Sequence, residues 1–176
     1  MNLKRCDGVY EPDDDSFLLM NIPEVSGRVI EIGCGSGIVG LSYAERGCDV
    51  TMTDISPEAA KCAKMNADSN DIDAEVLVGD LFSPIKGKFD YCLFNPPYLP
   101  SGEADDRSWT GGKKGNEITV QFLNSFRKYC RVAFFVESSI SPIERDTFSD
   151  VMFKNVNELE YDFEEIRVVR AEGCHQ

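Results

Sequence analysis

Asn95-Pro96-Pro97-Tyr98 stands directly after an apolar run, Phe89 to Phe94, that reads as a strand. Proline fixes its own backbone and pushes the residue before it into an extended conformation, so this segment is stiff and Asn95 is aimed. Proline lacks an N–H but keeps its carbonyl. The side-chain carbonyl of Asn95 and the backbone carbonyl of Pro96 therefore offer two converging acceptors, which suit a planar NH2 group. Tyr98 adds a flat face for the plane of that group. An amide nitrogen is a poor nucleophile because its lone pair is delocalised. Holding both N–H bonds draws electron density onto nitrogen, and positioning against a reactive electrophile then carries much of the rate. No dedicated general base is evident. The plain alternative is a rigid loop leaving a strand.

A second group stands upstream. Glu31-Ile32-Gly33-Cys34-Gly35-Ser36-Gly37 follows a strand and opens a helix. Gly33, Gly35 and Gly37 let the backbone turn tightly and approach a ligand, and the helix start favours a negative group. Asp54, followed by Ile55, ends the second strand, where a carboxylate can accept from ribose hydroxyls. Gly35-x-Gly37-x-x-Gly40 with an acid downstream also satisfies the dinucleotide fingerprint, so a NAD-dependent oxidoreductase competes here. Asp80 ends the third strand, where it can accept from an adenine amino group while Leu81 packs on the ring. This favours S-adenosylmethionine, whose cationic methyl is the electrophile that the tetrapeptide needs. A turn at Gly79-Asp80 is the bland alternative.

These groups need elements to hold them. Short apolar runs alternate with helical stretches, the pattern of a parallel α/β sheet. Strands are expected at Arg28–Ile32, Asp49–Thr53, Ala74–Val78, Phe89–Phe94 and Arg131–Val136. Helices are expected at Ser36–Arg46, from the Ser56 cap to Ala67, at Glu117–Tyr129 and at Pro142–Phe153. Asn95 to Gly115 is a long loop, of a kind usually functional or mobile. Two strands around Asn157–Tyr161 and Glu165–Arg170 suggest an antiparallel hairpin at one edge.

The 176 residues fit one domain, and no apolar run approaches a membrane span. The N-terminus, with Asp7, Glu11 and Asp13 to Asp15, does not read as a signal peptide. The seven cysteines show no C-x-x-C spacing and read as reduced thiols of a cytosolic protein. Cys174 and His175 offer too few ligands for a metal, and a lone tail histidine gives no dehydrogenase base. A net charge of −13 argues against autonomous nucleic-acid binding and allows a basic protein surface as partner.

With these residues in place, the chain resembles the HemK-like glutamine N5-methyltransferases, particularly their short eukaryotic and archaeal branch. The likeness rests on Val9-Tyr10-Glu11-Pro12-Asp13-Asp14-Asp15-Ser16-Phe17-Leu18-Leu19, on Glu31 to Gly37, on Asn95 to Tyr98, and on Trp109-Thr110-Gly111-Gly112 with Gly115 and Glu117. The first and last stretches are the family-specific ones. The resemblance implies an α/β Rossmann-like class I methyltransferase domain over residues 1–176, with a seven-stranded, mostly parallel sheet flanked by helices. It implies S-adenosylmethionine as cofactor. It places Tyr10 and Ser16 in the cofactor pocket, Glu31 and Gly33 at the methionine and ribose, Asp54 at the ribose, and Asp80 and Leu81 at the adenine. Gly35, Gly37, Ile55 and Asn95 complete that set, and Asn95, Pro96, Pro97 and Tyr98 form the substrate amide site. The implied substrate is the glutamine of a Gly-Gly-Gln motif in a class-1 translation release factor. DNA adenine and histone lysine stand as alternatives. Bacterial relatives carry an N-terminal helical domain, which this chain is expected to lack because its motifs begin by Tyr10. The third strand is expected at the sheet edge, where a small zinc-ribbon-type activator would add a strand to Ala74–Val78 and form a heterodimer. The expected location is cytoplasmic, with a nuclear pool.

Overall fold

The computed structural model describes residues 1–100 and 111–174. Arg28–Ile32 (β1), Asp49–Asp54 (β2), Glu75–Val78 (β3), Phe89–Phe94 (β4) and Cys130–Ser138 (β5) pair in parallel. Val151–Glu160 (β6) and Glu165–Gly173 (β7) form an antiparallel hairpin joined to β5 through β7. The strand order is β3-β2-β1-β4-β5-β7-β6. The chain starts in the middle at β1, winds outward to β3, then returns to β4 on the other side. Ligands in open α/β sheets sit at the carboxyl ends of the strands beside this reversal.

Both faces of the sheet are covered, so the central strands are apolar on both sides. Val29, Val50, Met52, Leu93, Phe134 and Val168 face a core shared with Asp14–Met20 (α1), Ile38–Glu45 (α2) and Pro57–Ser69 (α3). Their sequence neighbours Ile30, Cys92, Phe94, Phe135 and Val169 point the other way, to a core shared with Glu117–Ser125 (α4). Helix α3 begins as its sequence suggests: Ser56 Oγ accepts from Ala59 N–H, and Pro57 occupies the first turn.

Four expectations need correction. The helix expected over Pro142–Phe153 is absent, and only a short 3-10 turn, Arg145–Thr147, precedes β6. Val151 is buried and Phe153 half-buried while Met152 is exposed, an alternation set by pairing with β7. The helix expected to reach Tyr129 ends at Ser125 and tightens into a 3-10 turn at Phe126–Lys128. Helix α1, which was not expected, starts at an Asp13 N-cap. Finally, Cys6 is bonded to Cys62 and Cys92 to Cys130, rather than all thiols being reduced. The first bond joins the N-terminal segment to α3, where Lys4 N–H also donates to Asn66 Oδ1 at 2.8 Å. The second joins the adjacent strands β4 and β5 within one core.

Candidate active site at the carboxyl ends of the central strands

Strand register brings the two sequence motifs side by side. Ile32 pairs with Thr53 on one side and with Phe94 on the other. The glycine turn after β1, Asp54 at the end of β2 and Asn95 after β4 thus emerge at one level. Asp54 pairs with Val78, so Asp80 lies two residues beyond that level.

The turn is built by backbone and carboxylates together. Gly33, Gly35 and Gly37 have φ of +63°, +53° and +83°, a region that disfavours side chains. Asp54 Oδ2 accepts from Gly35 N–H and Oδ1 from Ser56 N–H, both at 2.9 Å. Burial raises the Asp54 pKa, and these donors oppose that shift. Glu31 is buried beneath the turn, where its Oε2 accepts from Gly40 N–H at 2.8 Å. Burial pushes its pKa up to about 8. A Cβ on Gly40 would lie 2.6 Å from that carboxylate and 2.8 Å from Met52 Sδ, so the close seat of α2 on the sheet requires glycine there.

The tetrapeptide is wired to α1. Asp15, 3% exposed, accepts from Tyr98 Oη at 3.0 Å and from Tyr10 Oη at 2.9 and 3.0 Å. It also accepts from Ser16 N–H at 2.5 Å and Ser16 Oγ at 3.1 Å. Asn95 Nδ2 donates to Ser16 Oγ at 3.4 Å. Asn95 Oδ1 is buried and has no hydrogen-bond partner among the described residues. A buried, unpaired acceptor is costly in a folded protein and calls for a donor. Burial and the Asp15 charge raise the pKa values of Tyr98 and Tyr10, so both phenols stay protonated as donors.

Two segments brace the loop from behind. Ser141 Oγ donates to the Tyr98 carbonyl at 2.6 Å. Gly111 N–H donates to the Leu99 carbonyl at 3.0 Å, and Glu117 N–H to the Gly111 carbonyl at 2.9 Å. A Cβ on Gly115 would come within 2.6 Å of the Tyr98 carbonyl, so this glycine allows the contact. Glu117 also accepts from Lys114 N–H at 3.0 Å. Trp109 and Thr110 of the same motif lie outside the described residues, as does His175.

The structure therefore joins Tyr10, Ser16, Asn95 and Tyr98 in one network, and gathers Gly33, Gly35, Gly37 and Asp54 in another. Ile55 and Asp80 are exposed at the ends of β2 and β3, free to meet a ligand. Leu81 takes a left-handed backbone at φ +46°, and its carbonyl accepts from Thr53 Oγ1. Pro96 is buried and Pro97 half-buried. Glu31 is tied to α2 rather than open at the surface. Asp15 is the site residue that the sequence reading did not single out: its type and place in an acidic run matched Asp13 and Asp14. A cavity of about 220 Å³ lies beside the turn, lined by Tyr10, Pro12, Phe17, Ser36 and Ile38 among others. A larger one, about 360 Å³, opens among Lys88, Arg127 and Arg131 at the opposite end of the sheet, away from these groups. An exposed glycine backbone, a carboxylate at ribose height and a second acid at the next strand end fit S-adenosylmethionine. Gly33 to Gly37 and Asp54 would hold its methionine and ribose parts, and Asp80 with Ile55 its adenine.

Comparison with known proteins supports this fit. The family model described as "Methyltransferase small domain" matches residues 8–110. A Methanocaldococcus jannaschii protein named "Putative protein N5-glutamine methyltransferase" is 36% identical over 188 residues, covering 97% of this chain and 95% of its own. "Methyltransferase HEMK2" of Mus musculus is 34% identical over 135 residues, 65% of this chain and 63% of its own. Among solved structures, the E. cuniculi Mtq2-Trm112 complex, responsible for methylation of the eRF1 translation termination factor, superposes with a TM-score of 0.74 at 18% identity. That match covers 94% of this chain and 98% of the other. At that identity the likeness shows the fold.

Proposed function

The chain belongs to the small-domain methyltransferase family, as an S-adenosylmethionine-dependent protein-glutamine N-methyltransferase, and we propose that its acceptor is the Gly-Gly-Gln glutamine of a class-1 translation release factor. The observation that carries this reading is the unpaired, buried Asn95 Oδ1 at the mouth of β4. It is an acceptor waiting for an N–H, and the Pro96 carbonyl beside it is a second. A primary amide has two N–H bonds to give and is flat enough to lie on Tyr98.

S-adenosylmethionine, when bound, supplies an electrophilic methyl group. The chain's own part is positional. Asn95 Oδ1 and the Pro96 carbonyl accept the two amide hydrogens and so increase electron density on nitrogen. Tyr98, fixed through its hydroxyl to Asp15 and through its carbonyl to Ser141, sets the amide plane. With S-adenosylmethionine held by Gly33 to Gly37 and Asp54, its methyl would pass to the nitrogen that Asn95, Pro96 and Tyr98 aim, and S-adenosylhomocysteine would be left. Methylation makes the remaining N–H acidic, and that proton passes to water.

Three things support the release factor. The family-specific stretches of the sequence resemble release-factor enzymes, the E. cuniculi neighbour acts on eRF1, and a chain of net charge −13 suits a basic protein surface. The same neighbour is solved with Trm112, which supports a small activator for this chain; its zinc-ribbon type is part of the proposal and rests on the family resemblance alone. Strand β3 is the sheet edge, its Val76 and Leu77 are half-buried and its Val78 is 52% exposed, which suits an added strand. The cytoplasmic location proposed with this role rests on the release-factor substrate alone, since the two disulfides withdraw the support of reduced thiols. Mass spectrometry on a release factor, incubated with the chain and a labelled methyl donor, tests the reading. Label on the Gly-Gly-Gln glutamine is expected; label on a lysine or on DNA adenine instead would overturn it.

A further inference from the structure

The β6–β7 hairpin points toward the same end of the molecule as the tetrapeptide. Strand β7 runs antiparallel to β5, with Ile166 opposite Ser138 at the carboxyl end of β5. The residues joining β6 to β7, Tyr161 to Glu164, therefore stand at the end of the sheet from which Asn95 emerges. This tip is fixed in place. Tyr161 N–H donates to the Glu164 carbonyl at 2.7 Å, and Glu164 Oε1 accepts from Ser138 Oγ at 2.5 Å. Tyr161 Oη donates at 2.6 Å to Asp14, the residue before Asp15.

At this fixed tip Phe163 is 95% exposed. Two more large apolar side chains follow the carboxyl ends of the neighbouring strands β5 and β4 at the same end of the sheet, Ile140 at 50% and Leu99 at 43% exposure. Ile140 lies between Ser139, whose hydroxyl accepts from Glu165 N–H, and Ser141, which holds the Tyr98 carbonyl. Leu99 follows Tyr98 directly. Single exposed apolar residues are ordinary. Here three come from three separate segments, each within a few residues of a bond that fixes the acceptor loop or the hairpin base. Folding gains nothing from holding Phe163 in water, since it forgoes burial worth roughly 25 cal/mol per Å². The hairpin tip is acidic: Glu160, Asp162 and Glu164 flank Phe163, Asp13 and Asp14 open α1, and no lysine or arginine lies between Asn155 and Ile166, while Lys113 and Lys114 stand exposed on the segment behind the acceptor loop.

Resting on the protein-glutamine reading of the site, we propose that Phe163, Ile140 and Leu99 form a docking rim for the substrate segment that carries the acceptor glutamine, a loop with apolar and basic side chains beside it. Asn95 and Pro96 recognise an amide, which every glutamine has. A rim outside the amide site selects by the neighbours of that glutamine: apolar side chains settle on the rim and basic ones meet the acids around it. The rim is continuous with the acceptor loop through Leu99, so an occupant of one is presented to the other.

The test compares the full chain, with its activator if one is captured, against Phe163→Ser, Ile140→Ser and their combination. Each replaced side chain is exposed, so folding is expected to hold. Initial rates are measured on the intact release factor, and S-adenosylhomocysteine affinity by calorimetry. The double variant is expected to raise KM for the intact protein about tenfold or more, on the scale of a lost apolar anchor, with kcat at saturation and S-adenosylhomocysteine affinity retained. Phe163→Leu, which keeps an apolar tip, should recover most of the lost KM. A double-variant KM within about twofold of the parent overturns the rim. So does a change confined to self-association by light scattering, which would make the rim a contact between copies. If the parent chain labels a different glutamine protein, the release-factor reading falls, and the same KM comparison on that protein judges the rim separately.

Discussion

Asn95→Ala removes the orphaned acceptor without touching the glycine turn. Turnover should fall by about 10²-fold, the scale of losing one aimed hydrogen-bonding group at a reacting centre. Calorimetry with S-adenosylhomocysteine should show little change, and an unchanged kcat would remove the tetrapeptide from the mechanism. Asp15→Asn should weaken the hold on Tyr98 by roughly 1–3 kcal/mol, read as a drop in kcat. If Asp15 acts through Tyr98, the loss in the double variant with Tyr98→Phe should be smaller than the sum of the two single losses. Glu31 gives a pH signature. Its folded pKa of about 8 lies above the ordinary 4.5, so the folded state binds more protons between those values. Its contribution is most favourable below about pH 4.5, declines as pH rises toward 8, and levels off above that. Urea titrations at several pH values should show Glu31→Gln losing part of this decline; identical slopes in the two proteins would refute the assignment. At this scale the sequence was legible where a residue type has few conformational meanings. Paired prolines after a strand, and glycines between a strand and a helix, say where the backbone must go. Asp15 was not legible, because what separates it from Asp13 and Asp14 is the approach of Tyr98 from a distant part of the chain.

Among the elements, β3 carries the sharpest expectation. Val76→Lys places a charge on a half-buried edge position, and capture of a co-expressed activator should fall strongly while S-adenosylhomocysteine still binds. Undiminished capture would move the partner elsewhere. The parallel strands were readable because burial on both faces makes them near-continuous apolar runs: Val29 to Ile32 and Val132 to Val136 are buried throughout. The segment before β6 was misread for the opposite reason. Ser141 followed by Pro142 imitates a helix start, yet Ile143 N–H is held by Glu137 at 3.0 Å and Val151 is already paired with β7. Those partners lie outside the segment, and no local pattern reports them. Helix α1 was missed because its seven residues show barely two turns of pattern. Its position comes from contacts such as Asn157 Nδ2 with the Leu18 carbonyl, and Tyr43 Oη with the Leu19 carbonyl.

For the molecule as a whole, the net charge of −13 predicts a salt-sensitive encounter with a basic substrate. Raising ionic strength should lower kcat/KM for the intact protein mainly through KM, because screening shortens the reach of the field. A flat response would argue against a basic partner. Phe163→Ser should leave this salt dependence in place, since it removes apolar area and no charge.

The strand order carries a consequence for synthesis. β7 lies between β5 and β6, although it follows both in the chain. On the ribosome, β1 to β5 can pair as they emerge, but β5 keeps a bare edge and β6 has no neighbour until Glu165–Gly173 arrives. The nascent protein thus waits as an unfinished sheet with its cofactor residues already made. The Tyr161–Asp14 bond and the Phe163 tip appear only when the hairpin closes. A message truncated within β7 would yield a sticky product suited to chaperones and proteases. It would carry the cofactor residues but lack the closed hairpin whose Tyr161 ties the sheet to the start of α1 at Asp14.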